Sequence, residues 1–260
     1  MRTNLIPNKP LPVRRKKKEI ATATATSDSM LDMVIAFDTT GSMSSYLGAV
    51  RKHCTDLVPK LLAANPDMRI GIVAFGDYCD MPNKYTFGDA YQVLPLTTNK
   101  EKIINFINNA ERTSGGDGDE FYELVIKKIT EETDWREGAT KAVLLIADAN
   151  PHRVGYSYSN IVKNAQIDWR EEAKKAAEKG IKFDTLSIDG TPWYRELSKI
   201  TNGTHAPFSS SEKTAQVVEA SVYSKVAATK SVFKATMDSV MASGDSEMKA
   251  VYAVYSKEVL

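Results

Sequence analysis

With only two cysteines, Cys54 and Cys79, the sequence has no disulfide framework to offer, and both read as free thiols in a reducing compartment. No apolar run approaches the roughly 18 residues of a membrane-spanning helix, and the amino terminus lacks the apolar stretch of a secretory signal. These absences predict a cytoplasmic, or more broadly intracellular, protein with no membrane partner. In that setting Asn202-Gly203-Thr204 reads as a turn rather than a glycosylation site. Also missing are the Gly-x-x-x-x-Gly-Lys-Ser/Thr phosphate loop and the Gly-x-Ser-x-Gly elbow, which removes P-loop nucleotide binding and the α/β-hydrolase reading.

Net charge is nearly absent too, at +1, but it is unevenly spread. Residues 1–30 carry seven basic groups against two acidic ones, so a basic segment precedes a mildly acidic body. Pro7, Pro10 and Pro12, the cationic run Arg14–Lys18 and an Ala-Thr repeat at 21–26 have no core-forming period, and residues 1–29 read as a flexible basic arm. The run at 14–18 suits plain solvation first, and contact with an acidic protein surface, nucleic acid or a nuclear import receptor second.

What the chain does have is 42% apolar content, enough for one sizeable core. Short apolar runs alternate with helical periods. Asp32–Asp38, Arg69–Gly76, Tyr91–Leu96, Ala142–Ala147, Ile181–Ile188 and, more weakly, Thr204–Phe208 read as strands. Leu47, Val50, Cys54, Leu57, Val58, Leu61 and Leu62 recur at helical steps over 45–64, and Thr98 or Asn99 caps a helix carrying Ile103 and Ile107. Further helices are predicted over 120–133, 168–180, 194–200 and 211–222. A parallel crossover needs a helix-length connection, so this alternation predicts an α/β fold over 30–222: a doubly wound, mainly parallel central sheet flanked by helices. Residues 223–260, with Val226, Val232, Phe233, Met237 and Val240 at helical intervals, read as a helical extension that docks on the domain, a second copy or a partner.

Ligands of such sheets bind beyond the carboxyl ends of the strands, and three polar clusters fall there or in the loop between. They are Asp38-Thr39-Thr40-Gly41-Ser42-Met43-Ser44, Gly115-Gly116-Asp117 and Asp148-Ala149-Asn150-Pro151-His152. Asp38, Thr40 and Ser42 alternate, so an extended turn projects them to one side. Oxygen donors of this kind suit a hard cation, Mg²⁺ first and Mn²⁺ or Ca²⁺ less selectively. Plainer readings stand beside this one. Ser42 or Ser44 suits a helix N-cap, Asp119 and Glu120 suit the positive start of a helix, and His152, Tyr156 and Tyr158 suit loop packing.

Together the three motifs, in this order and spacing, resemble the metal-ion-dependent adhesion site of von Willebrand factor A domains. Asp38-Thr39-Thr40-Gly41-Ser42-Met43, Ser114-Gly115-Gly116-Asp117-Gly118-Asp119-Glu120 and Asp148-Ala149-Asn150-Pro151-His152 are most similar to the alpha-kinase-associated type. The resemblance implies that Thr40 and Ser42 ligate a metal through their hydroxyls, with Asp38, Asp117 and Asp148 acting directly or through water. Asp117 stands where adhesion-type members carry Thr, which implies a site that holds its metal more firmly and draws an acidic partner group less strongly. It further implies a non-catalytic module that engages a protein through the metal face, with Ser44, Asp119, His152, Tyr156 and Tyr158 as candidate contacts and an AAA+ ATPase or multiprotein assembly as partner by analogy. One enzymatic alternative stays open: Asp-x-Thr-Gly-Ser also resembles the aspartyl-phosphate loop of ion pumps and phosphatases, which would make Asp38 the nucleophile of a Mg²⁺-dependent phosphohydrolase or phosphotransferase.

Overall fold

The computed structural model describes residues 30–187, 191–207, 213–225 and 229–259; the expected basic arm lies outside them. In chain order the elements are β1 (Leu31–Asp38), α1 (Ser44–Ala64), β2 (Met68–Phe75), β3 (Tyr91–Thr97), α2 (Lys100–Asn109), β4 (Asp119–Glu120), α3 (Tyr122–Glu132), β5 (Thr140–Ala147) and β6 (Asn150–Pro151). Then follow α4 (Trp169–Glu178), β7 (Ile181–Ser187), α5 (Pro192–Ile200), β8 (His205–Pro207), α6 (Thr214–Lys225), α7 (Lys230–Ala242) and α8 (Ser246–Tyr255). The main sheet runs β3-β2-β1-β5-β7-β8, parallel except where β3 lies antiparallel to β2 at one edge.

Alternation along the strands builds two cores. Leu31, Met33, Ile35 and Phe37 of β1 pack with α1, α2 and α6, whereas Val34 and Ala36 face α3, α4 and α5. Alternate residues of β5 divide the same way, so both central strands are buried on both faces. This is the doubly wound, mainly parallel sheet expected from the sequence. Asn99 caps α2 by accepting the Lys102 amide at 2.8 Å. Below the sheet, Asp32 at the start of β1 is fully buried. Burial pushes its carboxyl up, but hydrogen bonds from Arg69 and Arg136 outweigh this and hold it below the usual carboxylate range.

The main departures from the predicted limits fall at α3, α6 and the last two strands. α3 begins at Tyr122 rather than Glu120, because Asp119 and Glu120 pair with Asn150 and Pro151 in a separate two-stranded sheet. α6 continues to Lys225, past residue 222, and its expected start at 211 lies outside the described residues. The last strand is short, and Phe208 and Ile188, expected in strands, also lie outside them. After α6 come α7 and α8. Phe233 of α7 and Met248, Val251, Tyr252 and Tyr255 of α8 share one apolar cluster with Val217, Val218 and Val222 of α6. No helix among the described residues is long and apolar enough to cross a membrane.

Candidate metal centre

The first polar cluster starts where β1 ends. Asp38 is fully buried, and both its oxygens are engaged. Oδ1 accepts from the Thr40 amide at 2.7 Å and the Thr40 hydroxyl at 2.6 Å, and Oδ2 accepts the Tyr122 hydroxyl at 2.5 Å. Thr40 Oγ1 lies 3.2 Å from Ser42 Oγ, which donates to Asp148 Oδ1 at 3.1 Å. A continuous carboxylate–hydroxyl–hydroxyl–carboxylate chain thus joins the ends of β1 and β5. The N-cap reading of Ser42 and Ser44 is overturned: Met43 holds that position and no side chain caps α1.

Two loops are clamped around this chain. The Gly41 amide donates to Ser114 O at 3.1 Å, and Asp80 Oδ1 accepts the Ser114 amide at 2.8 Å. Gly115 has φ +69°, and a Cβ there would sit 2.7 Å from Glu120 Oε1 and 3.3 Å from Thr40 Cβ. At Gly116 a Cβ would meet Cys79 at 2.8 Å. Only glycine allows the loop this path. On the other side, the Tyr122 hydroxyl accepts the Ala149 amide at 3.2 Å, and Ala149 O accepts Trp193 Nε1 at 2.9 Å and the Tyr194 hydroxyl at 2.8 Å. Pairing of β4 with β6 ties the glycine loop to the exit of β5.

Beside this chain lies a second polar group. His152 Nε2 is 2.6 Å from Asp77 Oδ1, and Glu123 accepts the His152 amide at 3.1 Å and the Tyr78 hydroxyl at 2.9 Å. The Tyr156 ring stacks on His152 with centroids 3.6 Å apart, and its hydroxyl donates to Asp117 Oδ2 at 3.1 Å. One ligand atom each from Asp77, Asp117 and His152 lies within 4.8 Å of the others. These three have metal-ligating chemistry, although the short His152–Asp77 contact already satisfies two of them as an ion pair when the imidazole is charged.

Carboxyl groups outnumber cations here, and their acidity records it. Burial pushes Asp38 up to about 7, with Asp148 adding to the push and the bonds from Thr40 and Tyr122 opposing it. Burial, then the charges of Asp38, Asp77, Asp80 and Asp117, push Glu120 up to about 10. Burial raises Glu123 to about 7. Burial opposes the charge on His152, but the hydrogen bond and charge of Asp77 prevail and raise it. Glu120 Oε2 is buried and has no hydrogen-bond partner among the described residues. Crowded oxygen donors with an orphaned buried carboxyl oxygen fit a divalent cation, which would replace the missing positive charge.

Of the expected site residues, the fold brings Asp38, Thr40, Ser42 and Asp148 together. Asp117 is exposed and makes its bonds to Tyr156 and, at 3.1 Å, to the Asp119 amide; among the described residues it has no hydrogen bond to those four. Ser44 is exposed on the first turn of α1, while Asp119, Tyr156 and Tyr158 are half-buried around the glycine loop. His152, expected to contact a partner, is only 2% exposed beneath Tyr156 and offers a partner no surface. Glu120 does not sit at a helix start but turns inward beneath Gly115. Sequence reasoning missed Asp77, Asp80, Tyr122 and Glu123. Asp77 and Asp80 have the spacing of a capping box, which the structure contains, so that signal was available. Tyr122 carried none, because it fits the apolar period of α3.

Sheet order, helices on both faces and a hydroxyl–carboxylate turn at the end of the central strand define an α/β domain of the doubly wound class, whose ligands bind beyond the carboxyl ends of the strands. The chain belongs to the von Willebrand factor type A domain family, whose profile matches residues 32–223. It is 23% identical over 189 residues to an ariadne-like RING finger protein of Acanthamoeba polyphaga mimivirus, with 68% of this chain but 18% of that protein's length covered. Among solved structures it is similar to the pilus adhesin SpaC of Lactobacillus rhamnosus GG, at TM-score 0.56 and 16% identity, covering 78% of this chain and 30% of the adhesin. It is also similar to a proximal thread matrix protein of the mussel byssus, at TM-score 0.56 and 15% identity, covering 75% of this chain and 47% of that one. At these identities the structural likeness concerns the fold.

Proposed function

We propose that the chain is a non-catalytic protein-binding module that holds one divalent cation, Mg²⁺ before Mn²⁺ or Ca²⁺, in a metal-ion-dependent adhesion site and engages a partner protein through it. Thr40 and Ser42 hold the ion through their hydroxyls, Asp38 and Asp148 support it by fixing those hydroxyls and through water, and Asp117 joins them from the glycine loop. The observation that carries this reading is the unbroken chain from Asp38 through Thr40 and Ser42 to Asp148. When bound, the cation neutralises the crowded carboxylates and offers an open position to a partner oxygen. Asp38 and Tyr122 orient the Thr40 hydroxyl and the β5 exit, and the His152–Tyr156 stack braces Asp117.

Support for a binding rather than a catalytic role comes from Asp38 itself. A phosphoryl acceptor needs an accessible carboxylate oxygen, whereas both oxygens of Asp38 are bonded and buried. Free Cys54 and Cys79 support an intracellular setting, and by analogy the partner is an AAA+ ATPase or multiprotein assembly. Capture of partners on the immobilised chain in Mg²⁺ and in EDTA, with Ser42→Ala alongside and phosphatase and ATPase activity measured on the same samples, tests this. Metal-dependent capture lost in Ser42→Ala, without turnover, is the expected result. Turnover that requires Asp38 would replace the proposal with phosphoryl transfer.

A further inference from the structure

The face opposite the metal centre carries a different chemistry. At the amino-terminal ends of β5 and β7 lies a cleft of about 530 Å³, lined by Lys141, Lys182, Lys225, Lys230 and Lys257 with no acidic side chain among its described residues. Distant parts of the chain deliver these lysines: the first turns of two strands, the end of α6, the start of α7 and the turn Ser256–Glu258 after α8. Lys225 is neutralised by Asp184, whose Oδ2 lies 2.9 Å away, with both side chains almost wholly buried. Lys141 Nζ donates to the Lys179 carbonyl at 3.3 Å, which leaves its charge uncompensated. The side chains of Lys182, Lys230 and Lys257 have no hydrogen bond or ion pair among the described residues.

Four cations without an ion pair among the described residues therefore converge on one concave surface of a chain whose net charge is only +1. Like charges brought together this way repel unless a ligand supplies the opposite sign. Ammonium groups are phosphate-binding elements.

We propose that this cleft binds a soluble small molecule carrying several phosphate groups. Its described lining has no aromatic ring on which a nucleic-acid base could stack and no large apolar side chain that could enter a bilayer. Lysine without arginine suits a compact multivalent anion rather than the bidentate recognition of a single carboxylate or phosphopeptide group. The site is independent of the metal centre.

Calorimetric titration of tripolyphosphate and of inositol hexakisphosphate into the full chain, in EDTA at about 0.15 M salt, tests the proposal without involving the metal. One-to-one saturable binding is expected for at least one probe. Lys182→Gln and Lys257→Gln should each weaken it about tenfold, from the loss of one charge-assisted bond. Lys182→Arg should retain most of it, and Lys52→Gln, on α1, should leave it unchanged. The three free lysines keep part of their surface in solvent, so their replacement leaves the core intact. Absence of binding, or binding undiminished by the cleft substitutions and therefore residing on the Arg14–Lys18 run, would overturn the proposal. Binding to phosphoinositide vesicles but to neither soluble probe would assign the phosphates to a membrane and overturn it as well.

Discussion

Removing one oxygen, in Tyr122→Phe, should disturb both folding and metal binding. The ring is fully buried, packing edge-on against Phe75 at 5.4 Å and tilted against Trp193 at 5.2 Å, and phenylalanine keeps both ring contacts. What goes is the 2.5 Å bond to Asp38 Oδ2 and the acceptor for the Ala149 amide. A bond to a charged group contributes about 1.5–3 kcal/mol, and an orphaned buried amide costs about 1–3 kcal/mol. The two effects share one network and do not add fully, so a loss of about 3 kcal/mol is expected. In a domain of this size that lowers the melting midpoint by about 6–12 °C. Tyr122 also opposes the upward push on Asp38, so without it Asp38 rises further above about 7 and protons compete better with the cation. Mg²⁺ affinity at pH 7 should fall about tenfold, the scale of a lost outer-sphere partner. By pH 9 the gap should narrow. Urea unfolding and calorimetry at both pH values measure the two effects, and a variant with parental midpoint and parental affinity at pH 7 would refute the reasoning.

Three further outcomes follow from the same geometry. Because the folded state raises Asp38 and Glu123 to about 7 and Glu120 to about 10, their stabilising contribution is complete below about pH 4 and is lost as pH rises through those values. The metal-free protein should therefore gain more thermal stability from Mg²⁺ at pH 8 than at pH 5, and an equal gain would count against the crowded-carboxylate picture. Gly115→Ala places a methyl group against Glu120 and Thr40 at positive φ and should destabilise by about 1–3 kcal/mol while weakening Mg²⁺ binding; a neutral substitution would mean the loop relaxes freely. Lys225→Met strands the buried Asp184 carboxylate, held also by the Thr204 amide at 2.9 Å, and should cost about 3–5 kcal/mol in urea unfolding; a smaller loss would show that Asp184 stays neutral without its partner.

Most of the fold was legible because it depends on period. Alternating Leu31, Met33, Ile35 and Phe37 against Val34 and Ala36 can be satisfied only with a core on each side of the sheet. The exit turns of β1 and β5 were legible as well, since Asp, Thr and Ser at strand ends carry a recognisable donor chemistry. Partnerships between distant segments were not. That Tyr122 reaches Asp38 across the sheet, that Glu120 turns beneath Gly115, and that Asp77 holds His152 each depend on where α3 and the two loops settle. Local propensity even pointed the wrong way at Glu120, where a helix start was expected and pairing with Pro151 prevailed. The lysine cleft stayed hidden for the same reason, its five residues being scattered from 141 to 257.

The most direct test of the central claim is calorimetric titration of Mg²⁺ into metal-stripped protein at pH 8, with Asp38→Ala and Thr40→Val in parallel. Saturable one-site binding that both substitutions abolish, in proteins that still fold, is the predicted result. Binding of undiminished affinity in Thr40→Val, or no binding by the parent chain, would contradict the assignment of the Asp38–Thr40–Ser42–Asp148 chain as a cation site.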